Sequence, residues 1–89
     1  MSKRGKLFAR IQNNQKNVRF DDFCTLMTYF AFTLVRVRGS HHLYQHPTID
    51  EVMNVQPTKD GLAKSYQVRA FLKIVETHQL TLFDADEGE

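Results

Sequence analysis

Apolar residues recur along this chain in two different rhythms, and the change of rhythm divides it into elements. Near the start, Leu7, Phe8 and Ile11 fall at helical spacing within residues 2–15, with Ser2 placed to cap them. The polar run 13–17 reads as a connector. From Phe20 the helical rhythm returns. Phe20, Phe23, Cys24, Met27 and Phe30 stand at i, i+3, i+4, i+7 and i+10, which makes one continuous apolar face. Asp21 and Asp22 occupy its N-terminal end, where the helix dipole favours negative charge. Cys24 lies on the apolar face between Phe23 and Met27 and reads as a small core residue.

The rhythm then shortens. Residues 32–38 (FTLVRVR) are dense in β-branched side chains, and a second strand runs through LYQH, with Gly39-Ser40 at the two-residue separation of a hairpin. Pro47 closes that strand; a third is predicted over 51–56 and is closed by Pro57. Residues 58–64 form a loop around Gly61. The last helix starts at Ser65 as N-cap, buries Val68, Phe71, Leu72 and Val75, and turns Lys73 and Glu76 outward. The order α, α, β, β, β, α predicts an α+β fold. A three-stranded antiparallel sheet carries two main helices on one face and leaves the other open to water.

Composition narrows the class. A chain of 89 residues holds one domain, expected over residues 1–83, and its single cysteine excludes an intramolecular disulfide scaffold. No apolar run approaches the ~20 residues of a membrane span, and no apolar segment follows the basic N-terminus, so a cytoplasmic chain without membrane contact is expected. The net charge of +2 hides an asymmetry, because Asp84, Asp86, Glu87 and Glu89 crowd the last six positions. Without them twelve basic residues face six acidic ones, a balance of +6 that suits a nucleic acid or an acidic protein as partner. Residues 84–89 read as an acidic, disordered tail.

The candidate chemistry lies at the hairpin. His41, His42 and His46 fall within six residues, but strand alternation sends His41, Leu43 and Gln45 to one side and His42, Tyr44 and His46 to the other. Two imidazoles on one face make a poor zinc site without a third ligand, so no metal and no cofactor is expected. What the spacing offers instead is a single histidine beside a tight turn. Arg36 and Arg38 share a parity on the preceding strand, and Gly39 allows a substrate backbone to approach. A histidine flanked by guanidinium groups suffices to cleave RNA without a metal: imidazole takes the ribose 2′-OH proton and the cations stabilise the phosphate charge. Tyr44 has two readings, stacking on a base or packing in a half-buried sheet. Lys64, next to the start of the last helix, adds to an anion-attracting corner.

The run from Phe32 to Pro47 (FTLVRVRGSHHLYQHP) resembles the core of HicA toxins, the ribonuclease partners of HicB antitoxins. The stretches MNVQP at 53–57, GLAK at 61–64 and YQVRAFL at 66–72 are similar to one branch of that family, and the likeness spans residues 16–80. The resemblance implies a double-stranded-RNA-binding-domain-like fold, a metal-independent activity against mRNA, and neutralisation by a HicB-type antitoxin, with oligomers formed only through that complex. The family's essential histidine follows the Gly39-Ser40 pair, which makes His41 the catalytic residue and His42 a secondary candidate. Arg36, Arg38, Gly39, Ser40 and Lys64 are the expected RNA contacts. Relatives often carry glycine after the first main helix, where this chain has Ala31. The same fold also fits a module that grips A-form RNA without cutting it, or a degenerate member retained to bind its partner.

Overall fold

Three helices and three strands follow in the expected order in the computed structural model, which describes residues 2–82. They are α1 (Lys3–Asn13), α2 (Phe20–Tyr29), β1 (Thr33–Arg38), β2 (His41–Gln45), β3 (Val52–Val55) and α3 (Ser65–Thr77). The strands pair antiparallel in the order β1-β2-β3, an α+β arrangement consistent with the double-stranded-RNA-binding-domain-like fold. The acidic tail at 84–89 lies outside the described residues.

The core forms where the apolar faces of the helices meet one side of the sheet. Phe23, Leu26, Met27, Val68 and Phe71 are fully buried and join Tyr44, Met53 and Val55 from the strands. Phe71 is the hub, with its ring edge-on to Phe23, Phe30 and Phe32 at centroid distances of 5.9, 5.7 and 5.5 Å. Leu26, outside the spacing that marked α2, is as buried as its neighbours, because the face α2 presents is wider than a single stripe. α1 is capped as expected: the Ser2 hydroxyl accepts from Gly5 N at 3.0 Å. It is braced against α2 by Phe8 on Phe30, Arg4 over the Tyr29 ring and Arg10 with Asp22 at 3.2 Å.

Some boundaries differ from expectation, β2 among them, which runs His41–Gln45 and not over LYQH. Lys64, not Ser65, is the N-cap of α3; Ser65 is its first helical residue, and no side chain caps this end. β3 is shorter at both ends, since the Gln56 N–H turns to the Gln67 side chain instead of a strand partner.

α2 and α3 each end with a left-handed residue that is not glycine. After α2, Ala31 has φ +72, its N–H donates to Thr28 O, and Phe32 N–H donates to Met27 O. After α3, Gln79 has φ +53, with Gln79 N–H to Glu76 O and Leu80 N–H to Val75 O. These are Schellman closures, whose C′ position favours glycine because a Cβ there crowds the following carbonyl. Ala31→Gly is therefore expected to raise stability by about 0.5–1 kcal/mol, the relieved strain exceeding the added chain entropy of the unfolded state. Thermal denaturation checks it: the midpoint should rise by several degrees, and a fall would mean that the Ala31 methyl matters more for packing than for strain.

Candidate functional site

The β1–β2 hairpin organises the open face of the sheet. Gly39 and Ser40 form its two-residue loop between the paired Arg38 and His41, and of the two only Gly39 has a positive φ, +60. That is the pattern of a type II′ turn, which wants glycine first. A Cβ on Gly39 would meet nothing within 4 Å, so backbone conformation is what demands glycine here.

The turn sets the register, and the register assembles the site. Arg38 pairs with His41 and Arg36 with Leu43, while β3 sets Asn54 across from Leu43. Residues directly opposite in antiparallel strands share a face. Arg36, Arg38, His41, Leu43 and Asn54 accordingly line one shallow depression of about 220 Å³ on the side away from the helices. An irregularity between Leu34 and Arg36 lies beyond this grouping; it sets Leu34 opposite Tyr44, on the other face from Arg36 although the two share a parity.

Electrostatically the depression is open and cationic. Among the described residues neither arginine has an ion-pair partner, and the His41 ring has no hydrogen-bond partner. Glu51, one of the carboxylates able to orient an imidazole, is engaged elsewhere: it accepts from His78 Nε2 at 3.0 Å. Leu43 supplies a small apolar floor against which a ribose or base can rest. Asn54 adds an amide that can both donate and accept.

The alternate residues of the strand point into the protein. His42 packs edge-on against Phe20 at 5.1 Å, and its Nδ1–H donates to Ser40 O at 3.0 Å. His46 packs on Phe32, and its Nδ1 accepts from the N–H groups of Thr48 and Ile49 at 3.1 and 3.3 Å. Both rings are thus held as structural parts of the hairpin and its exit. Tyr44 corrects the base-stacking expectation: it is 5% exposed, within the core. Its hydroxyl interacts with the Cys24 thiol, and burial is the main cause pushing both groups' pKa upward, so the thiol stays protonated. Lys64 does not line the depression; it sits half-buried at the start of α3, its carbonyl accepting from Gln67 and Val68. Ser40 is exposed in the turn beside the site.

Sequence reasoning missed Leu43 and Asn54. Their one signal was parity, since Asn54 is the polar residue between the inward-facing Met53 and Val55.

Residues 20–76 match the family model of the HicA toxin of bacterial toxin-antitoxin systems. The chain belongs to the HicA toxin family. The match begins at the first residue of α2 and stops one residue short of the end of α3, so the HicA core comprises the sheet and the two helices that cover it, and α1 lies outside it. No curated protein and no solved structure gives a match. The chain is thus a HicA toxin, of the kind whose systems pair a toxin with an antitoxin. No described helix is long and apolar enough to cross a membrane.

Proposed function

We propose that this HicA toxin is a metal-independent endoribonuclease that cleaves mRNA in the cytoplasm and is neutralised by a HicB-type antitoxin. The observation that carries the reading is the meeting of His41 with two arginines, unpaired among the described residues, in one open depression. His41 takes the proton of a ribose 2′-OH. The freed oxygen attacks the adjacent phosphorus, the bond to the 5′-oxygen of the next nucleotide breaks, and that oxygen takes up a proton. Arg36 and Arg38 stabilise the charge that grows on the non-bridging oxygens. Asn54 hydrogen-bonds the ribose or base resting on Leu43. The two guanidinium groups repel a divalent cation, and among the described residues no carboxylate lines the depression to hold one, which supports a route without metal. Lys64 is a phosphate contact outside the depression, on RNA that extends beyond it.

This route consumes the 2′-OH, which yields a direct test. An oligoribonucleotide should be cut in the presence of EDTA to give a 2′,3′-cyclic phosphate and a 5′-OH. The same oligonucleotide with a single 2′-deoxy residue at the cleavage position should stay intact there. Cleavage of the deoxy position, or loss of activity in EDTA, overturns the mechanism. Retention of RNA without fragments makes the protein a binding module.

A further inference from the structure

β1 is an edge strand with two contrasting sides. All six residues of Thr33–Arg38 are exposed, and among the described residues the strand order leaves its outer backbone groups without a neighbouring strand. Leu34, Val35 and Val37 are 48, 51 and 51% exposed, and they are three of the five large hydrophobic residues so exposed among the described residues. Register sorts them: Leu34 opposite Tyr44 and Val37 opposite His42 lie towards the helices, whereas Arg36 and Arg38 face the open side. At the start of the strand, Thr28, Ala31, Phe32, Thr33 and Leu34 line a hollow of about 450 Å³. Exposed edges in soluble proteins are normally covered, shortened or charged. Here charge protects only one side.

We infer that β1 is the docking edge for an extended segment of a partner protein in which apolar residues alternate with carboxylates. Added as a fourth strand, such a segment satisfies the outer main-chain groups of β1. Its apolar side chains cover Leu34 and Val37, and one of them fills the hollow beside Phe32. Its carboxylates, pointing to the other side by strand alternation, meet Arg36 and Arg38, which have no acidic partner among the described residues. A second copy of this chain fits poorly, because two-fold antiparallel pairing of β1 sets these arginines against their counterparts. The docked carboxylates stand on the rim of the depression that contains His41, so occupancy of the edge competes with RNA. That competition rests on the function proposed above; the docking itself does not.

The test uses a short synthetic peptide of alternating valine and glutamate, with two controls: lysine in place of glutamate, and N-methyl groups on the amides that would pair with β1. Backbone amide spectra of the full chain are recorded on titration. The valine–glutamate peptide should shift the amides of residues 33–38 first, and both controls should bind at least about tenfold more weakly. Val37→Lys should weaken docking to the same degree and leave RNA cleavage unchanged, with Val35→Lys as a second variant should the first unfold. Absence of binding at millimolar peptide, equal binding of the lysine control, shifts centred on β3 or on the helices, or a dimer formed through β1 would each overturn the inference. A peptide that docks on a protein lacking nuclease activity sinks the proposed function and leaves the docking edge standing.

Discussion

Replacing His41 with alanine is expected to slow RNA cleavage by about 10²–10⁴-fold, the usual worth of one general acid–base group, while fold and RNA retention stay near wild type. The separation of effects follows from the site's position. His41 is exposed, contributes nothing to the core, and leaves Arg36 and Arg38 in place to hold phosphate. Single-turnover cleavage of a labelled RNA, measured beside gel retardation and thermal denaturation, distinguishes the outcomes. A wild-type rate removes His41 from the mechanism, and parallel loss of retention and cleavage makes it a binding residue. His42→Ala supplies the contrast. Its ring packs on Phe20 and donates to Ser40 O, so its loss should lower the denaturation midpoint. Its effect on the chemical step should be far smaller than that of His41→Ala.

Phe71→Ala should cost about 3–5 kcal/mol, a large part of the roughly 5–15 kcal/mol that stabilises a small domain. Phe71 is fully buried, and three other aromatic rings lean on it edge-on, from α2, the α2 cap and the residue before β1. Truncation leaves a ring-sized void that neighbours on three elements cannot fill together. Urea unfolding measures the cost, with Phe71→Leu as the milder variant expected to lose less than half as much. A loss below about 1 kcal/mol for Phe71→Ala would show that the aromatic cluster repacks freely and is not the centre of the core.

The helices were legible in the sequence because amphipathic spacing is a local property. Phe20, Phe23, Met27 and Phe30 on α2, and Val68, Phe71 and Val75 on α3, are buried as their spacing predicts. The hairpin was legible from Gly39-Ser40 for the same reason, since a two-residue turn is local chemistry. What escaped depends on pairing between distant residues. Asn54 joins the depression only through its register with Leu43, and Leu34 leaves the face of Arg36 only because of the irregularity between them. Tyr44 illustrates the limit from the other side. Alternation left base stacking open beside the commoner half-buried packing, and the packing of Cys24 and α2 against that face decides for packing. Ala31 was noted as a departure from the glycine of relatives, but its left-handed conformation becomes visible only when Phe32 N–H closes back on Met27.

The one-sided core separates what keeps this toxin folded from the open face that carries the proposed site. Arg36, Arg38, His41, Leu43 and Asn54 all lie outside the buried cluster, and none of them packs against it. Mutation can therefore explore this surface without drawing on the stability of the domain. Under the function proposed above, substrate preference and partner are free to change on this scaffold, and a copy without His41 is expected to keep its fold.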